Sequence, residues 1–261
     1  MDIKTIKILG IRFARINMEN ALKVIEGSIA KRRKFQVCVT NAYSLVLMQK
    51  DEKFKDITDS ADLVVADGKS LVWISRLYGE PIPERVAGPD LAYELCKTSA
   101  KKGYNLFFLG SSPTISRKMV ERLKKMFPSL QIVGAYSPPF KKQLLKRQNE
   151  KMIALINKVK PDVLFVGLGA PKQEKWIWKH KDELQVLVSI GVGAAFDFIA
   201  GTVKRAPRWM QKCGLEWFFR LCQEPGRLWK RYLIGNAIFL WLVLKEFIKI
   251  RILVIHKGLK D

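Results

Sequence analysis

A single acidic residue stands where a buried strand should end. Asp67 directly follows the apolar run Leu63–Ala66, in the stretch ADLVVADGKS. A carboxylate at the open end of a buried strand can act as a general base and take the proton from an attacking hydroxyl. Aspartate also caps helices, and a helix that begins near Ser70 would give Asp67 that role instead. Position alone favours neither role over the other.

Glycine turns follow three further apolar runs. Gly110 comes after LFFL, Gly167 and Gly169 come after VLFV, and Gly191 and Gly193 come after VSI. A glycine turn bends tightly and leaves backbone N–H groups open, and a helix N-terminus beyond it favours an anion. One such turn more often only connects a strand to a helix. Several turns at one edge of a sheet predict a pocket for a nucleotide or a sugar phosphate.

The elements that must position these residues are short apolar runs alternating with helix-like stretches, as far as about residue 200. This alternation predicts an α/β fold, with a mostly parallel sheet and helices on both faces. In such sheets ligands bind at the carboxyl ends of the strands, where the aspartate and the glycine turns lie. The predicted strands are Ile6–Leu9, Phe35–Val39, Leu63–Ala66, Leu106–Leu109, Ile132–Tyr136, Val163–Val166 and Val186–Ile190. The predicted helices include Met18–Arg33, Pro89–Lys102, Pro113–Phe127 and Lys141–Lys160.

The chain is strongly basic, with 47 Lys and Arg against 24 Asp and Glu and a net charge of +23. This surplus predicts a polyanionic partner, which is nucleic acid, an anionic membrane or a phosphorylated substrate. The chain has two histidines and no D-x-D pair, so we expect neither a histidine-rich metal site nor a metal clamp on a nucleotide-sugar diphosphate. No G-x-G-x-x-G turn follows the first strand, which argues against a dinucleotide-dependent oxidoreductase.

Residues 201–261 differ in character from the rest of the chain. They hold thirteen Lys or Arg, four Asp or Glu, and four of the seven tryptophans. The spacing of Arg205, Arg208 and Lys212 predicts one basic helix face. The uncharged run Tyr232–Leu244 is thirteen residues long, shorter than the span of about 20 that crosses a bilayer. This favours an amphipathic segment in the membrane interface, and the alternative is a helix packed by its apolar face on the main domain.

Five blocks of the sequence resemble, in the same order, the WecG/TagA/CpsF family of bacterial glycosyltransferases. The blocks are ADLVVADGKSLVW, PERVAGPDL, PDVLFVGLGAPKQEKW, GVGAAFDFIAGTVKRAPRWM and GLEWFFRLCQEPGRLWKRYLIGN, and the resemblance runs from about Phe13 to Gly235. It implies a Rossmann-like fold with a C-terminal membrane-binding appendage. It also implies transfer of N-acetylmannosamine or a related sugar, with inversion, from its UDP donor to a lipid-linked N-acetylglucosamine.

The resemblance further implies roles for individual residues. Asp67 matches the position proposed for the family's catalytic base, Arg85 matches a substrate-binding arginine, and Gln173 matches a polar active-site residue. Asn41 matches the asparagine of the family's Thr-x-Asn pattern, although Thr40 stands one place later than the expected threonine. The arginines implied to hold the lipid diphosphate or the leaving UDP are Arg220, Arg227 and Arg231.

We therefore predict a catalytic domain over residues 1–200 and an appendage over residues 201–261 that binds the membrane and completes the active site. The expected enzyme is inverting and metal-independent, needs no cofactor, and lies at the cytoplasmic face of the cell membrane. Its expected partners are a UDP-sugar donor, a lipid-diphosphate-linked acceptor, the anionic membrane surface and further copies of itself, but not nucleic acid. The alternative is a basic nucleic-acid-binding α/β protein. The sequence does not specify the donor sugar.

Overall fold

Six parallel strands form the main sheet in the computed structural model, which describes residues 3–139 and 145–258, with side chains in the last helix only as far as residue 250. These strands are β3 (Phe35–Thr40), β4 (Leu63–Ala66), β5 (Leu106–Gly110), β6 (Ile132–Tyr136), β7 (Val163–Gly167) and β8 (Val188–Gly191). Their order across the sheet is β4, β3, β8, β7, β5, β6, and every neighbouring pair is parallel. The predicted parallel sheet is confirmed, and these strands begin and end within two residues of their predicted bounds.

Helices cover both faces of this sheet. They are α1 (Met18–Ala30), α2 (Ala42–Met48), α3 (Glu52–Asp59), α4 (Lys69–Leu77), α5 (Gly88–Lys102), α6 (Pro113–Met126), α7 (Lys146–Val159), α8 (Lys172–His180) and α9 (Ala195–Ala200). Strand residues alternate between two apolar layers. Val163 and Phe165 pack with α1, α5, α6 and α9, whereas Leu164 and Val166 pack with α7 and α8. Burial on both faces explains the uninterrupted apolar runs of these strands.

The helix starts follow local capping chemistry. The Ser112 hydroxyl accepts the Ile115 N–H at 3.3 Å, so the predicted cap of α6 is confirmed. The side chains of Asn17 and Asn41 cap α1 and α2 in the same way. Helices α2 and α3 were not predicted. The residues before 145 in the predicted helix Lys141–Lys160 lie outside the described residues.

The first predicted strand does not join the main sheet. β1 (Thr5–Ile8) pairs antiparallel with β2 (Ile11–Ala14), and the two form a separate hairpin. Leu9 and Gly10 make the turn with positive φ angles of 49° and 85°. The hairpin packs its buried side chains against α2, α3 and α4 on one face of the sheet.

The C-terminal segment is helical throughout its described part. It consists of α10 (Arg208–Lys212), α11 (Glu216–Gln223), α12 (Pro225–Trp229), a π-helical turn (Lys230–Ile234) and α13 (Gly235–Gly258). Phe239 and Val243 of α13 are buried in the same apolar cluster as the hairpin, α2 and α4. The alternative of a helix packed on the main domain is therefore correct for this part of α13. In the chain between residues 3 and 258, gap aside, no helix combines the length and apolar character of a membrane span.

The predicted basic helix face is wrong. Arg205 lies before Pro207, and α10 contains only Arg208 and Lys212 of the three cations. Gly214, with a φ angle of 69°, then separates α10 from α11. Pro207 separates Arg205 from α10 and so breaks the helical spacing on which the prediction depended.

Candidate active site

A cleft of about 860 Å³ opens at the carboxyl ends of β3, β4, β7 and β8, and the C-terminal segment forms its opposite wall. Ten of the residues predicted to lie in the site line this cleft. They are Asn41, Asp67, Arg85, Gly169, Gln173, Gly191, Gly193, Arg220, Arg227 and Arg231. Residues up to 190 positions apart along the sequence meet here because parallel strands end at one edge of the sheet.

Asp67 lies at the end of β4 and is held by the backbone. Its N–H donates to the Thr40 carbonyl at 2.8 Å. Helix α4 begins after Gly68, whose position receives no side-chain capping bond, so Asp67 does not cap this helix. Within the described part of the chain, the half-buried Asp67 carboxylate has no hydrogen-bond partner. It is therefore open to a ligand in the cleft.

The surroundings of Asp67 make it a stronger base than an exposed aspartate. Burial raises the pKa of the Asp67 carboxyl above its ordinary value, and the nearby Glu216 carboxylate raises it further. The Arg85 guanidinium opposes this effect but does not cancel it. A higher pKa favours transfer of a proton from an attacking hydroxyl to the carboxylate.

Arg85 is brought beside Asp67 by a backbone contact. The Val86 N–H donates to the Ala66 carbonyl at 3.0 Å, so the segment that carries Arg85 runs alongside the end of β4. The Arg85 guanidinium is not free. Its Nη1 donates to Glu216 Oε2 at 2.5 Å in the C-terminal segment.

A second arginine completes this ion-pair network. Arg205 donates through Nη2 to Asp90 Oδ2 at 2.8 Å and through Nε to Glu216 Oε1 at 3.1 Å. The side chains of Arg85 and Glu216 are only 12% and 17% exposed. Partly buried pairs are screened less than surface pairs, so the network ties α11 to the edge of the sheet that carries Asp67.

Gln173 lines the cleft, but its side chain supports the glycine turns. Its Oε1 accepts the N–H groups of Gly169 at 3.1 Å and Gly193 at 3.0 Å. Its Nε2 donates to Glu174, whose burial raises the pKa of that carboxyl to about 7. A side chain at Gly191 would come within 2.7 Å of the Gln173 amide. Gln173 thus fixes the two turns after β7 and β8.

Gly110 and Gly167 do not line the cleft, contrary to the sequence-based prediction. A Cβ at Gly110 would lie 2.5 Å from the Gly167 carbonyl oxygen. A Cβ at Gly167 would lie 2.8 Å from the ring of Phe196. Close packing of adjacent strand ends and an aromatic ring therefore accounts for both glycines.

Three arginines of the C-terminal segment line the cleft. Arg220 lies over the Phe198 ring at 5.1 Å and Arg231 over the Tyr43 ring at 5.2 Å. The Nε atoms of both arginines are buried and, among the described residues, without a hydrogen-bond partner. Arg227 is 61% exposed and pairs with Glu224. Buried donors with no acceptor are suited to an anionic ligand.

The sequence analysis missed several residues of the cleft. Glu216 stands in the block GLEWFFR, but the sequence assigns it no role, because no residue near it in the sequence marks this glutamate as part of a site. Val39 lines the cleft, whereas Thr40 is buried and does not. Thr40 therefore does not replace the threonine that the family resemblance led us to expect. Among the residues that the structure describes, no three His, Cys, Asp or Glu side chains lie close enough together to hold a metal ion.

Comparison with known proteins gives a consistent result. Residues 6–252 match the model of the family described as glycosyl transferase WecG/TagA/CpsF. A protein of Bacillus subtilis strain 168 is 36% identical over 199 residues, which cover 76% of this chain and 74% of the relative. One of Bacillus spizizenii is 35% identical over 181 residues, covering 69% and 68%. Both relatives are named N-acetylglucosaminyldiphosphoundecaprenol N-acetyl-beta-D-mannosaminyltransferase.

Proposed function

The chain belongs to the WecG/TagA/CpsF family of glycosyltransferases, and we propose that it transfers N-acetylmannosamine to N-acetylglucosamine carried on undecaprenyl diphosphate. The observation that carries this proposal is the shared name of two relatives, each of which aligns with more than two thirds of the chain. Family membership decides for a glycosyltransferase over the nucleic-acid-binding and oxidoreductase alternatives.

Asp67 is the proposed general base. It takes the proton from a hydroxyl of the acceptor sugar while that oxygen bonds to the anomeric carbon of the donor. The bond from this carbon to the diphosphate breaks, and the leaving nucleotide departs with the electron pair. One displacement inverts the anomeric centre, which turns an α-linked donor into a β-linked product. The unpartnered carboxylate and its raised pKa support this role.

The proposed donor is UDP-N-acetylmannosamine, and its diphosphate is neutralised by protein groups without a metal ion. The buried, unpartnered Nε atoms of Arg220 and Arg231 support this assignment. Helices α4 and α8 both begin at the cleft, and helix N-termini stabilise negative charge. Arginine grips two phosphate oxygens at once, which suits a departing diphosphate.

The proposed working place is the cytoplasmic membrane surface, where the C-terminal segment (residues 201–261) contacts the lipid. Large apolar side chains on this segment are exposed, and they include Trp209, Phe218, Trp229, Leu233, Leu240 and Trp241. Two of them, Leu233 and Leu240, line the cleft. Aromatic rings favour headgroup depth, and basic residues add attraction to anionic lipid. The boundary at residue 200 and self-association stay predictions.

Replacement of the proposed base tests this function. We expect Asp67→Asn to lower kcat for N-acetylmannosamine transfer to undecaprenyl-diphosphate N-acetylglucosamine by about 10²–10⁴. Donor binding, measured by calorimetry with UDP, should persist because the arginines are unchanged. Asp59→Asn is the matched control, since that half-buried carboxylate pairs with Arg12 outside the cleft. Turnover by Asp67→Asn within tenfold of the unaltered protein would remove Asp67 from the mechanism.

A further inference from the structure

Within the described chain, two carboxylates, Asp90 and Glu216, pair with both arginines of the network beside Asp67, and of these two Glu216 is the one carried by the C-terminal segment. It accepts from Arg85 at 2.5 Å and from Arg205 at 3.1 Å, and it also lines the cleft. Arg85 and Glu216 are 131 positions apart in the sequence. The contact therefore exists only when α11 is docked against the sheet edge.

The charges around Asp67 come from several elements. Arg85 precedes α5, Asp90 lies in its first turn, Arg205 precedes α10, and Glu216 begins α11. Lys69, at the start of α4, also lines the cleft. Without Glu216, two guanidinium groups would face the base with Asp90 as their remaining carboxylate partner. Positive charge near a carboxylate stabilises its ionised form and weakens it as a base.

We propose that Glu216 is a positioning residue, which holds Arg85 and Arg205 in place and offsets their charge so that Asp67 remains an effective base. Docking of α11 then does two things at once. It closes the wall of the cleft and sets the electrostatic environment of the catalytic carboxylate. The C-terminal segment therefore controls the reactivity of Asp67 as well as holding substrate. The assignment of Asp67 as base rests on the proposed function.

The direct test is the titration of Asp67 in the full-length protein without substrate. Carboxyl ¹³C NMR follows this titration, and the Asp67→Asn spectrum identifies the signal. In Glu216→Gln the pKa of Asp67 should fall, because a negative charge is lost and the arginine charge is no longer offset. Glu216→Asp keeps the negative charge, so the pKa of Asp67 in this variant should be close to that in the unaltered protein. Glu19→Gln, which removes an exposed carboxylate paired with Lys23, is the charge-matched control and should change nothing.

Transfer kinetics provide the second readout. For Glu216→Gln we expect kcat to fall by about tenfold or more and the acid limb of its pH profile to move to lower pH. Glu216→Asp should recover most of the activity. A merely structural role would lower activity without moving the acid limb.

The outcomes separate this inference from the proposed function. An unchanged Asp67 titration in Glu216→Gln overturns the role of Glu216, whatever the activity. If the unaltered protein fails to transfer N-acetylmannosamine but the titration shifts as expected, the proposed function is wrong and the electrostatic coupling stands. If Glu216→Gln does not fold, Glu216→Asp provides the test. A pKa of Asp67 that falls in Glu216→Asp as far as expected for loss of the charge would also contradict the proposal.

Discussion

The position of the Asp67 carboxylate favours its proposed role as a base but lowers the stability of the fold. Its burial disfavours the ionised form, and no described neighbour donates a hydrogen bond to it. An acid whose pKa is higher in the folded than in the unfolded state binds protons more strongly when folded. Its contribution to stability therefore falls as the pH rises from the unfolded-state pKa to the folded-state pKa. Above the folded-state pKa the whole penalty is present.

Asp67→Asn should consequently stabilise the fold at neutral pH while it lowers turnover. Asparagine removes the charge and keeps the shape, so the free energy of unfolding should rise at pH 7. At about pH 4, near the ordinary pKa of aspartate, the difference between the two proteins should shrink. Urea denaturation at the two pH values measures this. If the stability difference between the two proteins is the same at both pH values, the charge of Asp67 is not the cause of that difference.

Gln173 is a structural amide whose loss should be costly. In Gln173→Ala the half-buried N–H groups of Gly169 and Gly193 lose their acceptor, and a fully buried group left unsatisfied costs about 1–3 kcal/mol. We expect the free energy of unfolding to fall by about 2 kcal/mol or more, with a rise in the donor KM as the two turns loosen. Gln223→Ala is the control, because that exposed amide bonds to the Lys204 carbonyl and to no other described residue. A similar loss in both variants would contradict the role given to Gln173.

At the scale of elements, one polar side chain of α13 links this helix by hydrogen bonds to the hairpin and to the residue after α4. Glu246 accepts the Leu9 N–H of the hairpin turn at 2.9 Å and the Tyr78 hydroxyl after α4 at 2.8 Å. Burial and the Glu246 carboxylate together raise the pKa of the Tyr78 phenol. Helix α13 contributes Asn236, Phe239 and Leu240 to the cleft wall. Its docking therefore affects the site as well as the fold.

Glu246→Ala should loosen α13. We expect a loss of about 1–3 kcal/mol in the free energy of unfolding, because the Leu9 N–H and the Tyr78 hydroxyl lose a charged acceptor. Limited proteolysis should cut the C-terminal segment faster. Lys249→Ala alters an exposed side chain of the same helix and should leave both measurements unchanged. Equal proteolysis rates in all three proteins would show that Glu246 does not hold the helix.

At the scale of the whole molecule, a net charge of +23 accompanies exposed apolar side chains on the C-terminal segment, which forms one wall of the cleft. Neither feature alone identifies a membrane surface, since a basic protein also binds nucleic acid and an exposed apolar surface also binds protein. Together, around a site proposed to take a lipid-linked sugar, they favour an anionic bilayer. The lipid diphosphate would then reach the arginines directly from the bilayer surface.

Binding to vesicles tests this orientation. The protein should sediment with phosphatidylglycerol-containing vesicles, and less with vesicles of phosphatidylcholine alone or at high salt, which screens surface charge. Trp241→Ser combined with Leu240→Ser should weaken this binding, since both side chains are about 60% exposed and Leu240 lines the cleft. Trp178→Ser removes an exposed ring that does not line the cleft and should bind as the unaltered protein does. Equal weakening by the two changes would place the membrane contact elsewhere.

The sequence by itself determined the class of fold, the position of the strands of the main sheet, the family and ten of the residues that line the cleft. It did so because burial on both faces leaves apolar runs, and because a parallel sheet gathers its strand ends at one edge. These signals are local, so neighbouring residues suffice to read them. The first strand was misplaced because strand sequence alone does not specify which partner it pairs with.

Only the tertiary structure decided what each cleft residue does. Glu216 meets Arg85 across 131 positions, and Gln173 holds a glycine 20 positions away. Gly110 and Gly167 serve packing, and the basic spacing after Gly201 is divided between separate segments. Hydrogen bonds and ion pairs between distant segments depend on how the helices dock. No residue spacing within one segment encodes that docking.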